Sequence, residues 1–135
     1  MASAATQDPV SADQGYKHFL DSLRDPEVGA SVLSPRRFSE ALNIDLRTLA
    51  EQAHVHRNTI SRAPAAESVQ QFLRQALRVL CAANDLCGDF AQAIFWYRNE
   101  PLAPFGYRTA EQLVSENRTE DLLRYIAALE AGATG

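Results

Sequence analysis

Residues 66–86 carry Val69, Phe72, Leu73, Ala76, Leu77 and Leu80 at the i, i+3, i+4, i+7 spacing, a pattern that only an α-helix gathers onto one face. A helix of that length is about 30 Å long. In a chain of 135 residues, whatever else folds must cover such a rod. The rest of the sequence shows helical spacing as well, with no strand-like alternation and no internal repeat, and the fold class expected is all-α.

Start and stop signals divide the remainder. A first helix is expected from Ala12 to Arg24, with Tyr16, Phe19, Leu20 and Leu23 on one face and Asp25-Pro26 ending it. Ser34-Pro35 reads as the cap and first residue of a helix carrying Phe38, Ala41 and Leu42, with Asn43 as its stop. Asp45 caps Leu46 to Ala53, His54-Val55 turns the chain, and a short helix from His56 to Arg62 closes before Pro64. The long helix stops at Cys87-Gly88. Beyond it, Asp89 caps Phe90 to Arg98, and Pro101 to Gly106 forces a turn. Thr109 and Gln112 have the capping-box spacing, and Thr119 opens a last helix that Gly132 is expected to end. Residues 1–10 are small, polar and unpatterned, and are expected to be disordered.

Several function classes lack the residues they need. No apolar run approaches the roughly 20 residues of a membrane span. The first fifteen residues hold no basic stretch followed by an apolar core, so the expected location is the cytoplasm. Cys81 and Cys87 fit neither a metal site nor a disulfide framework and read as buried thiols. The histidines are His18, His54 and His56; they converge on no catalytic group, and His54 and His56 lack a Cys or acid partner at ligand spacing. Neither an enzyme nor a metal or cofactor site is expected.

The charges are blocked rather than mixed. Before residue 34, Lys17 and Arg24 face Asp8, Asp13, Asp21, Asp25 and Glu27. Residues 34–78 reverse the balance with Arg36, Arg37, Arg47, Arg57, Arg62, Arg74 and Arg78 against Glu40, Asp45, Glu51 and Glu67. After residue 78 acids dominate again, and the whole chain carries a formal net charge of -4. A basic block inside an acidic chain fits a nucleic-acid contact confined to that block, because phosphate neutralisation depends on local charge.

The same block holds the spacing of a helix-turn-helix over Leu46 to Arg62: a small residue, Ala50, where the helices cross, Val55 in the turn, and Ile60 packing the second helix back. His54 stands where glycine is common, because the backbone there tends to be left-handed. The second helix reads His56-Arg57-Asn58-Thr59-Ile60-Ser61-Arg62. Arg57 and Asn58 are residue types that read guanine and adenine edges, His56 leads into them, and Thr59, Ser61 and Arg62 suit phosphates. Arg36 and Arg37 are further phosphate candidates. The bland reading of the same residues is a polar surface helix with solvated arginines.

The segment Ala91-Gln-Ala-Ile-Phe-Trp96-Tyr-Arg-Asn-Glu-Pro101-Leu-Ala-Pro-Phe105-Gly106-Tyr-Arg-Thr109-Ala-Glu-Gln-Leu113-Val, followed by Arg118 to Gly132, resembles the toxin-binding domain of the Xre/MbcA/ParS antitoxins. With the upstream Xre-type helix-turn-helix, the resemblance spans about residues 34 to 132. A departure is Tyr107, where the family often has a second glycine. After the disordered N-terminus expected over 1–10, the expected organisation is a helical DNA-binding domain over 11–87 and, as the resemblance implies, a toxin-binding domain with a C-terminal tail over 88–135. It implies the antitoxin of a type II toxin-antitoxin pair whose toxin carries a RES domain and uses NAD⁺, degrading it or transferring its ADP-ribose. The antitoxin blocks the toxin's active site with its C-terminal region and represses its own operon through operator DNA. Carried over by position, the toxin-contact residues are Arg124, Glu130, Ala131 and Gly132, supported by Trp96, Phe105 and Gly106. Trp96 and Phe105 have the size that packs inward in a small domain. The small-residue tail has no packing reason to be ordered alone.

Two other readings compete. One is a stand-alone helix-turn-helix transcriptional regulator whose C-terminal part only dimerises; the other is a scaffold that binds no DNA. Both DNA-binding readings call for a homodimer, because a single short recognition helix binds weakly and two half-sites about 34–36 Å apart restore affinity.

Overall fold

The computed structural model describes residues 9–25 and 29–134, in which seven helices and one two-stranded ribbon surround a central helix. In order these are α1 (Pro9–Ser22), β1 (Arg24–Asp25), β2 (Gly29–Leu33), α2 (Pro35–Leu42), α3 (Leu46–Ala53), α4 (Arg57–Arg62), α5 (Glu67–Cys87), α6 (Phe90–Asn99), α7 (Ala110–Ser115) and α8 (Thr119–Thr134). A single 3₁₀ turn, Ala103–Phe105, lies between α6 and α7. No described helix is long and apolar enough to cross a membrane.

Most boundaries follow the local signals. Ser34, Asp45, Asp89 and Thr109 each accept a backbone N–H from the first turn of the helix they precede, and Thr109 with Gln112 completes the capping box. Asn43 and His54 end α2 and α3 at φ 59° and 57°, and Gly88 ends α5 at φ 74°.

Four expectations are corrected. The first helix begins at Pro9, so Pro9 and Val10 are helical rather than disordered, while residues 1–8 of the expected disordered stretch lie outside the described residues. It ends at Ser22, before Asp25-Pro26, because Arg24–Asp25 pair antiparallel with Gly29–Leu33. This small ribbon in an otherwise helical fold is held by distant side chains. Buried Gln70 of α5 accepts from the Leu33 N–H (2.9 Å) and donates to the Leu33 carbonyl (2.8 Å) and the Pro64 carbonyl (2.8 Å). The Arg37 guanidinium donates to the Ser22 and Arg24 carbonyls, both at 3.1 Å. At the other end of the chain, α8 continues through Gly132 to Thr134. Glycine inside a helix costs only about 1 kcal/mol, and Gly132 does not adopt the left-handed backbone that would turn the chain away. Cys81 and Cys87 are half-buried and unbridged rather than buried.

One hydrophobic core runs through the fold. It joins Phe19 and Leu23 of α1, Phe38 and Leu42 of α2, Leu49 of α3, Ile60 of α4, Tyr97 of α6, Leu113 of α7, and Leu122 and Ile126 of α8, all around α5. The core is continuous across residue 87, since α5 packs on α1, α2 and α3 and also on α6, α7 and α8.

Tyr97, fully buried, is the largest of the completely enclosed side chains, and its hydroxyl has no hydrogen-bond partner. Burial first, and the neighbouring Glu111 carboxylate second, push its phenol far above the ordinary tyrosine range. An orphaned buried hydroxyl carries a desolvation penalty of about 1–3 kcal/mol. Tyr97→Phe is therefore expected to stabilise the fold by about 1 kcal/mol, read as a higher denaturation midpoint at unchanged m-value; a loss of stability would show that the hydroxyl is satisfied.

Candidate functional sites

The segment α3, turn, α4 is set by its own backbone chemistry. His54 adopts the left-handed conformation, and its N–H bonds the Glu51 carbonyl (3.2 Å) while Val55 N–H bonds the Ala50 carbonyl (3.0 Å). Ala50 is buried at this crossing, Ile60 roots α4 in the core, and Val55 packs against its edge. His54 stands at φ 57°, a backbone conformation that glycine adopts more readily.

His54 also reaches across the fold. Its Nε2 lies 2.7 Å from the Ser115 carbonyl at the end of α7, and since a carbonyl only accepts, Nε2 carries the proton. Ser115 Oγ in turn donates to the Gln52 carbonyl (2.8 Å). Next to this junction lies a pocket of about 520 Å³ between α3, α5 and the α7–α8 turn. Its titratable groups are committed: His54 to Ser115, and Glu120 to Arg78 at 2.7 Å, which holds the Glu120 carboxyl below its ordinary value.

The outer face of α4 is polar and open. His56 Nδ1 accepts the Asn58 N–H (3.1 Å), which leaves Nε2–H as an outward donor. Arg57, Asn58, Ser61 and Arg62 are exposed, and Thr59 is half-buried. Arg36 is exposed in the first turn of α2, and a cleft of about 240 Å³ lined by Asp25, Arg36, Arg37, Ile60 and Ser61 joins that turn to α4. The two arginines differ: exposed Arg37 donates through Nη1 to the Ser22 and Arg24 carbonyls, whereas Arg36 makes no such bond.

Ion pairing separates the arginines further. Arg47, Arg74, Arg78, Arg98, Arg108, Arg118 and Arg124 each have an acid within ion-pair distance. Among the described residues, Arg36, Arg37, Arg57 and Arg62 have no acid partner, and of these Arg37 donates to two carbonyls. Their charge is not neutralised within the fold.

The C-terminal residues fall into three settings. Trp96 and Phe105 are half-buried, packed against the core without belonging to it. Phe105 meets Tyr125 edge-on at 5.5 Å between centroids, and the Arg118 guanidinium lies 5.0 Å above its ring. Gly106 takes a left-handed φ of 68°. Arg124 pairs with Asp121 on α8, and Glu130, Ala131 and Gly132 are exposed in its last turns, beyond buried Ile126.

Two exposed aromatics were not anticipated as contact residues: Phe95, 67% exposed, and Tyr107, 70% exposed. A signal for Phe95 was present, since four successive apolar residues, Ile94 to Tyr97, sweep around a helix and must turn at least one outward. Tyr107 sits at φ 66°, a conformation glycine adopts freely.

No three His, Cys, Asp or Glu side chains among the described residues gather to hold a metal. Comparison of the chain with protein-family models, with curated proteins and with solved structures found no match.

Because Tyr107 is exposed and left-handed, Tyr107→Gly is expected to relieve about 1 kcal/mol of backbone strain while losing little packing. Thermal and urea unfolding check this; a lower midpoint would mean that the ring is worth more than the strain.

Proposed function

We propose that this chain is the antitoxin of a type II toxin-antitoxin pair, binding operator DNA through the α3–α4 helix-turn-helix and neutralising a RES-domain, NAD-using toxin with its C-terminal third. It acts by binding and performs no catalysis. The observation that carries the DNA half is the set of arginines without internal counterions, Arg36, Arg37, Arg57 and Arg62, gathered with His56, Asn58 and Ser61 around α4 and the start of α2. Unneutralised cations on an exposed helix are what counterion release from a phosphate backbone requires. Base reading belongs to Arg57 and Asn58, and phosphate contacts to Thr59, Ser61, Arg62 and Arg36. Arg37 contributes by holding the α1–β1 junction.

The toxin half is supported by the resemblance of residues 91–132 to the Xre/MbcA/ParS domain and by the projecting end of α8. Glycine inside a helix is a cost without a local return, and a side chain at Gly132 would meet nothing within 4 Å in this chain. The missing Cβ then serves close approach to a partner, with Glu130 and Ala131 on the same exposed turn. A homodimer reading two half-sites follows from the shortness of α4, six residues.

Two outcomes test the halves separately. In fluorescence anisotropy with DNA from upstream of its own gene, Arg57→Ala and Asn58→Ala are each expected to cost about 1–3 kcal/mol of specific binding, and Arg62→Ala to lower the salt slope by about one. Unchanged affinity in the Arg57→Ala, Asn58→Ala double variant would refute the DNA assignment. For the toxin, growth and NAD⁺ level are followed after inducing the adjacent gene alone, with this chain, and with Gly132→Ala. The variant is expected to be at least as stable as the parent yet to rescue poorly. A harmless neighbour, or equal rescue, would remove the toxin or the role of Gly132 respectively.

A further inference from the structure

α6 carries more apolar surface than its buried side consumes. Ala93 and Tyr97 lie in the interior, while Phe95 stands open and Trp96 is half-covered. With Cys87 and Ala91 these two aromatics floor an open groove of about 490 Å³, with Gln92 and Glu100 on its polar side. An acid lines the groove and a second sits at the other end of α6, just outside the lining. Glu100 follows α6 directly, and Asp89 caps its start through the Ala91 N–H (3.1 Å). Asp89 lies two residues after the groove-lining Cys87, whose thiol is pushed up by burial first and by the Asp89 carboxylate second. Neither carboxylate forms an ion pair with a described residue, and Arg98 turns away from them to Leu42 and Glu111.

We propose that this groove docks a basic amphipathic helix of another protein, with the apolar ridge of that helix over Phe95 and Trp96 and its Lys or Arg side chains at Asp89 and Glu100. The ten-residue α6 gives the groove a length of about 15 Å, some three turns of a partner helix. Charge selects the occupant: the apolar floor supplies affinity, and two carboxylates without ion-pair partners favour a cationic flank and reject an acidic one. A second copy of this chain is disfavoured by the same rule. Antiparallel pairing of two α6 helices sets Asp89 of one copy against Glu100 of the other, and parallel pairing sets like on like. The inference goes beyond the antitoxin reading and does not depend on NAD chemistry in the partner.

The test uses the full-length chain and two fluorescein-labelled helical peptides of about five turns. They share one leucine ridge and differ only in flanking arginines or flanking glutamates. The arginine peptide is expected to bind in anisotropy titrations, with Phe95→Ser and Glu100→Arg each weakening it about tenfold or more. Asp89→Asn, which keeps the helix cap, weakens it as well. No binding of the arginine peptide, equal binding of the glutamate peptide, or indifference to Phe95→Ser overturns the proposal. So does a shift from dimer to monomer in sedimentation velocity on Phe95→Ser, which would assign the groove to a second copy.

Discussion

The constraint on which the structure depends is that α5 is apolar around most of its circumference. Val69, Phe72, Leu73, Ala76, Leu77 and Leu80 form the stripe visible in the sequence, but Gln70, Val79, Ala83 and Asn84 are buried too. A helix buried on several sides has to be enclosed. The helices before it cannot do this alone, so those after it complete the enclosure, and the two parts share one core. The six-residue α4 is anchored in that shared core through Ile60.

Polar ties then fix the two sides of α5 to each other. Arg98 of α6 donates to the Leu42 carbonyl at the end of α2 (2.7 Å), one of the acceptors a helix end leaves without an internal partner, and lies 3.4 Å from Glu111 of α7. Ser115 and His54 join the end of α7 to the end of α3. Each tie satisfies a backbone group that apolar packing alone would leave orphaned. The proposed DNA-reading pair and the proposed partner-binding third therefore stand on a common frame, although each keeps its own exposed groups.

What is left over after folding is the material for function. Most arginines are spent on nearby acids or carbonyls, so three unpaired ones around α4 and α2 distinguish that surface more sharply than the total charge does. Most aromatics are spent on the core, so the exposed Phe95 and Tyr107 mark the C-terminal third. The sequence names the residue types on both surfaces, but only folding subtracts groups already engaged: Arg37 gives its Nη1 to two carbonyls, and Tyr97, rather than its neighbour Trp96, takes the core.

The sequence by itself determined the helical class and most helix boundaries, because caps and left-handed stops act within three or four residues. Asp45, Thr109 with Gln112, Asn43 and Gly88 specify their helix ends without reference to anything distant. Tertiary structure alone decided the β1–β2 ribbon, which has almost no pattern of its own and is held by Gln70 and Arg37 from elsewhere in the chain. It also decided the continuation of α8 past Gly132, and which arginines and aromatics remain free. Local backbone chemistry is written in neighbouring residues, whereas pairing and burial depend on which distant groups the fold brings within hydrogen-bond or van der Waals reach.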